Sequence, residues 1–144
     1  SDVCSSDLHR DFHSCNLIRK PNGEIGIIDF QDGVLGPVSY DLVSLLWDRY
    51  IPWSREKIED WIEQYRLDLE LEMDATTWLR YCDLMGLQRN IKIVGIFARL
   101  YYRDGKQTYL ELIPRFYDYV TGVLCRYPEF SGMLELMEDA ECAP

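Results

Sequence analysis

The apolar positions of this chain change their period once. From Leu17 to Phe30 they fall into two short runs, Leu17-Ile18 and Ile25-Gly26-Ile27-Ile28, separated by Lys20-Pro21-Asn22-Gly23-Glu24. Proline presets the backbone for a turn, and asparagine and glycine tolerate its left-handed positions. The pattern predicts a β-hairpin over residues 17–31, and the apolar second arm predicts a largely buried strand.

Beyond Gly36-Pro37 helical spacing takes over. Leu42, Val43, Leu45, Leu46 and Trp47 predict a helix over residues 39–49, with Ser39 as its cap. Ser54 opens a second helix, on which Ile58, Trp61, Ile62, Tyr65 and Leu69 mark one face at i, i+3, i+4 spacing. Asp74 caps a third, running to about Met85, and Gly86 to Tyr102 reads as a separate helical stretch ended by Asp104-Gly105. Leu110 to Tyr127, with Pro114 in its first turns, and an acidic segment from Phe130 to Glu138 complete the series. One hairpin followed by five or six helices predicts a mainly α chain of α+β class, with no internal repeat.

Composition narrows the function classes. The 144 residues suffice for one domain, and 47% hydrophobic residues suffice for a core. A net charge of -10 without a concentrated basic stripe argues against nucleic acid as a partner. The five cysteines, Cys4, Cys15, Cys82, Cys125 and Cys142, are odd in number and lack CxxC spacing. They read as free thiols in a reducing compartment, with Cys82 and Cys125 packed in helices. No apolar run approaches the ~20 residues that cross a bilayer, and no secretory leader is recognisable. A cytoplasmic protein without a membrane partner is expected.

The chemistry concentrates in His9-Arg10-Asp11, with Asn16 five residues on and Asp29-Phe30 after the turn. This is the H-x-D-x-x-x-x-N plus D-F order of kinase-like phosphotransferases. An Asp at the head of such a loop can take the proton of an attacking hydroxyl. An Asn oxygen and a second carboxylate delivered by the hairpin can hold Mg²⁺, which prefers hard oxygen ligands. Phosphoryl transfer depends on positioning and charge neutralisation, and Asp11, Asn16 and Asp29 supply both. With Asp11 in the basic role, His9 is expected to brace the loop from a buried position.

On these residues the chain resembles the aminoglycoside phosphotransferase/choline kinase-like superfamily. Two longer stretches, IDFQDGVLGPVSYDLVSLLWDRY and GLQRNIKIVGIFARLYYRDGKQTYLELIPR, are similar to the bacterial N-acetylmuramate/N-acetylglucosamine kinases. The resemblance spans His9 to about Tyr127. It implies the helical C-terminal lobe of a kinase-like fold over residues 9–144, with ATP as donor and Mg²⁺ as cofactor. The implied acceptor is the anomeric hydroxyl of an amino sugar in cell-wall recycling. It also implies Asp11 as catalytic base, Asn16 and Asp29 as metal ligands, and Asp41 as a support of the loop. Asp32 either faces substrate or is a solvated carboxylate. Arg89 and Asn90, in a stretch that also carries Lys92, Arg99 and Arg103, either reach the sugar or belong to a solvated, salt-bridged face. Trp47, Trp53, Trp61, Trp78, Tyr101 and Tyr102 can stack on a sugar, but their helical spacing favours core packing. An aminoglycoside, choline or homoserine-like acceptor is the alternative within the superfamily. A non-catalytic fragment or interaction module is the alternative outside it.

The Gly-rich loop and phosphate-binding lysine of the superfamily have no counterpart here, so an N-terminal lobe is expected to be missing and the chain to be inactive alone. Ser1-Asp2-Val3-Cys4-Ser5-Ser6-Asp7-Leu8 back-translates without a mismatch to the end of a widely used short-read sequencing adapter. Residues 1–8 are therefore expected to be translated adapter fused to a truncated gene. The face left by the absent lobe is expected to expose apolar surface and to limit solubility.

Overall fold

The computed structural model describes residues 5–141 and is mainly helical with a small antiparallel β part. It divides between Gly86 and Leu87 into two compact units.

The first unit begins with strand β1 (Ser5–Leu8), a 3-10 turn at Ser14–Asn16, strands β2 (Leu17–Arg19) and β3 (Ile25–Ile27), and strand β4 (Val34–Pro37). β2 and β3 form the anticipated hairpin with Leu17 opposite Ile27 and Arg19 opposite Ile25. Its turn closes through the Gly23 N–H to the Lys20 carbonyl (2.9 Å) and the Lys20 N–H to the Glu24 carbonyl (2.8 Å). Gly23 sits at φ 86°, where a side chain would be strained. β1 and β4 make a second two-stranded sheet, Ser5 opposite Pro37 and Leu8 opposite Val34. The sequence pattern did not indicate this pair, because β1 (SSDL) shows no apolar alternation and β4 (VLGP) carries a glycine and a proline. Within β1 only Leu8 is buried. Ser1 to Cys4, half of the adapter-like octapeptide, lie outside the described residues, as does Cys142.

The expectation of a largely buried second hairpin arm is corrected. Ile25 is 59% exposed, and Ile27, Ile28 and Phe30 are exposed with it. A two-stranded hairpin covers neither of its own faces, and the rest of the unit leaves these side chains largely open.

Helix α1 spans Ser39–Leu46 and buries Val43, Ser44 and Leu46. Val38 holds the cap position, and no side chain caps the helix, so Ser39 is its buried first residue and not the predicted cap. Helix α2 (Arg55–Asp68) starts where Ser54 accepts the Lys57 N–H. Arg55 and Glu59 pair at i, i+4 (2.6 Å), and Glu63 and Arg66 at i, i+3 (2.7 Å), while Ile58 and Ile62 face inward. Arg66 then donates to the carbonyls of Leu71 (3.4 Å) and Met73 (3.0 Å), tying down the connection to the next helix. Asp74 caps that helix by accepting the Thr77 N–H at 3.0 Å.

Helix α3 runs unbroken from Ala75 to Asp104, so the two helices expected on either side of Gly86 are one. Gly86 serves packing and does not break the helix. A Cβ there would stand 3.0 Å from two carbons of the Trp47 ring. Trp47 and Trp78 are core residues, and the Trp78 indole N–H donates to the Ile62 carbonyl at 2.8 Å. Core packing does not extend to Trp61 or Tyr102, which are exposed.

In the second unit a 3-10 segment (Gln107–Leu112) precedes helix α4 (Ile113–Leu124). The helix expected from Leu110 thus begins three residues later, at the residue before Pro114. Phe116, Val120, Val123 and Leu124 are buried, and the Phe97 ring meets Phe116 edge-on at 5.6 Å. Cys125 is the exposed cap residue of α4, whereas Cys82 is buried as expected. Helix α5 (Ser131–Glu141) closes the unit, its Met137 carbonyl accepting the Tyr117 hydroxyl at 2.8 Å.

Candidate active site

The loop from His9 to Asn16 connects β1 to β2 and is anchored from three sides. Asp41, in the first turn of α1, accepts the backbone N–H of His9 (2.5 Å) and of Arg10 (3.0 Å) through its two carboxylate oxygens. Both bonds are charge-assisted. They hold Arg10 at φ 74°, a left-handed conformation that few residues with a side chain adopt. The Arg10 guanidinium donates to the Asp32 carbonyl at 3.4 Å.

The second anchor is the hairpin. The Asn16 carbonyl accepts the Ile28 N–H at 3.1 Å, extending the β2–β3 ladder by one pair. The Ile28 carbonyl in turn accepts from His9 Nε2 at 2.7 Å. Ile28 is therefore held at both ends of its peptide by the loop, and Asp29 follows immediately at φ 64°. Two non-glycine residues with left-handed backbones, Arg10 beside Asp11 and Asp29 itself, flank this junction. Such strain persists only where surrounding bonds over-determine it. His9 is half-buried, less so than the sequence suggested.

The third anchor was not read from the sequence. Asp48, 2% exposed just beyond α1, accepts the Ser14 N–H (2.8 Å) with one oxygen and the Tyr50 N–H (2.8 Å) with the other. Burial pushes its carboxyl upward, but hydrogen bonds from the Ser14 hydroxyl and from the Tyr50 and Ser14 backbones outweigh it. With His13 nearby they hold the group below its ordinary value. No short motif marks an acid at this spacing from the loop; only a buried carboxylate with two backbone donors reveals its role.

Asp11 and Asp29 are exposed and Asn16 is buried. The Asn16 amide nitrogen donates to the Asp11 carbonyl at 2.9 Å, which leaves its oxygen as the free end. Gln31 donates to one oxygen of Asp29 at 2.7 Å. The Asp29 carboxylate and the Asn16 amide oxygen are hard donors of the kind that Mg²⁺ takes, alongside phosphate and water. Among the described residues, no three His, Cys, Asp or Glu side chains gather as a metal cluster.

The remaining sequence-derived candidates lie elsewhere. Asp32 is exposed on the loop before β4. Arg89 and Asn90 lie on α3 in the second unit, and both are buried. The Asn90 amide meets no hydrogen-bond partner among the described residues.

This loop, its braces and the Asp29 hairpin occur within residues 7–82, which match the family model described as the phosphotransferase enzyme family. The chain belongs to that family. Among curated proteins it is similar to the N-acetylmuramate/N-acetylglucosamine kinase of Neisseria meningitidis, with 43% identity over 143 residues. It is also similar to proteins of the same name from Pseudomonas putida (38% over 140 residues) and Caulobacter vibrioides (40% over 116 residues). The first two alignments cover 93% of this chain but only 42% and 41% of those relatives; the third covers 78% and 32%. The chain thus spans about two fifths of the length of these relatives. No helix among the described residues is long and apolar enough to cross a membrane.

Proposed function

We propose that this chain is the helical C-terminal lobe of a kinase-like phosphotransferase that moves the γ-phosphate of ATP to the anomeric hydroxyl of N-acetylglucosamine or N-acetylmuramate. The observation that carries the reading is the double attachment of Ile28, which ties the HRDFHSCN loop to Asp29 through the Asn16 carbonyl and the His9 ring. The choice of sugar is supported by the names of relatives that align along 93% of the chain.

Asp11 accepts the proton of the sugar hydroxyl as its oxygen bonds to the γ-phosphorus. The bond from that phosphorus to the bridging oxygen breaks, and nucleoside diphosphate leaves. Asn16 and Asp29 would hold a divalent cation, which would offset the charge of the phosphate oxygens. His9, Asp41 and Asp48 fix the loop without touching the reacting atoms. Asp32 is kept as a further candidate contact to the acceptor, and Arg89 and Asn90, both buried, are kept as candidates within the second unit alone. Residues 1–8 are read as adapter-derived and given no catalytic role. Resequencing the source locus tests this, and a natural gene encoding the octapeptide would refute it. The exposed Ile25, Ile27, Ile28 and Phe30 are read as facing the region of the relatives that this chain does not match.

The acceptor is tested in a chain completed to the relatives' length. N-acetylglucosamine, N-acetylmuramate and an aminoglycoside are supplied side by side with ATP, and product is detected as sugar phosphate. Amino-sugar phosphate is expected. Phosphorylation of the aminoglycoside alone would keep the phosphotransferase and discard the sugar.

A further inference from the structure

The first unit holds a cavity of about 380 Å³ between α1, α2 and the segment that joins them. That size falls within the roughly 300–1,000 Å³ typical of small-molecule pockets. Its walls include Trp53, Trp61 and Tyr65, with Leu42, Leu45 and Ile51 on the apolar side. Its polar residues are Ser14, Asp48, Gln64 and Asp68. Ser14 belongs at once to this wall and to the candidate catalytic loop, three residues after Asp11 and two before Asn16.

We propose that this cavity is the acceptor subsite, taking the neutral ring of an N-acetylated amino sugar against Trp53 and Trp61, with hydroxyl groups hydrogen-bonded by Gln64 and Asp68. The inference rests on the phosphotransferase reading and deepens it by naming where the acceptor sits. Three observations support it. The indoles of Trp53 and Trp61 meet edge to face with centroids 4.9 Å apart, so the two rings present a corner of differently oriented aromatic surface. Unlike core Trp47 and Trp78, Trp61 is 37% exposed, an apolar area that folding of this unit leaves open. Gln64 donates to one oxygen of Asp68 at 2.8 Å, a mutually oriented pair that still has acceptor capacity for sugar hydroxyls. The lining contains two acids and no lysine or arginine, so an anionic substituent has to point out of the cavity. Asp48 is already engaged by Ser14 and Tyr50 and acts as a wall that fixes Ser14.

The test uses Trp61→Leu and, separately, Gln64→Ala, in a chain of the relatives' length. Two readouts are taken with N-acetylglucosamine: tryptophan fluorescence during titration, and steady-state kinetics with ATP. Loss of stacking is expected to raise KM about tenfold in Trp61→Leu with kcat within about twofold, and to abolish the sugar-induced fluorescence change. Gln64→Ala, at an exposed position, is expected to raise KM several-fold. It keeps the proposal testable should the first variant fold poorly. Phosphorylation of the sugar with unchanged KM in the folded variants overturns the subsite while leaving the proposed function intact. No phosphorylation of the sugar by the wild-type chain overturns the proposed function. In that case a fluorescence titration lost in Trp61→Leu still upholds the sugar site, and a flat wild-type titration removes it.

Discussion

One carboxylate oxygen of Asp48 accepts the backbone N–H of Ser14 at 2.8 Å, joining the end of α1 to the middle of the HRDFHSCN loop. Substituting Asp48 with Ala leaves the Ser14 and Tyr50 donors without their acceptor in a buried setting, a cost of about 1–3 kcal/mol each at most. Because the folded group titrates below its ordinary value, its contribution is complete above that value of 3.8 and is lost as pH falls through the lower folded value. Urea titrations at pH 7 and near pH 3 are expected to show a gap between wild type and Asp48→Ala that narrows in acid. An equal gap at both would contradict this role.

Arg55 and Asp83 form a bidentate ion pair, at 2.6 and 2.8 Å, with the Asp83 side chain only 1% exposed. Removing the cation alone strands a buried carboxylate and is expected to cost about 3–5 kcal/mol, far more than a surface pair. Replacing both with apolar residues is expected to recover most of that loss. A double-mutant cycle read by chemical denaturation measures the coupling, and additivity of the two single changes would refute it.

Gly86 sits mid-helix, where alanine ordinarily gains up to about 1 kcal/mol. Here an added Cβ presses on the buried Trp47 ring at 3.0 Å. Overpacking costs about 1–3 kcal/mol, so Gly86→Ala is expected to lower the melting temperature. A rise would show that Trp47 yields.

The legible parts of this fold were those with local chemical causes. The Pro-Asn-Gly turn, the Ser54 and Asp74 caps and the apolar face of α2 each follow from neighbours in sequence. The loop motif announced itself by spacing. What escaped were long-range relations. The β1–β4 ladder joins SSDL to VLGP with the whole loop and hairpin between them, so no turn signal announces it. Asp48 is tied to Ser14 across 34 residues. Gly86 read as a break because its reason, the Trp47 ring, lies 39 residues earlier in the chain. The apolar run of β3 predicted burial, and apolarity alone does not say which surface does the covering.

The central claim is that Asp11, held by a loop braced at Asp41, Asp48 and Ile28, is the base of a phosphoryl transfer. It is tested most directly by Asp11→Asn in a chain of the relatives' length, measuring ATP-dependent formation of N-acetylglucosamine phosphate. The account predicts that kcat falls by roughly 10²–10⁴-fold while the fluorescence change on adding sugar is retained. A variant that turns over at the wild-type rate would contradict it.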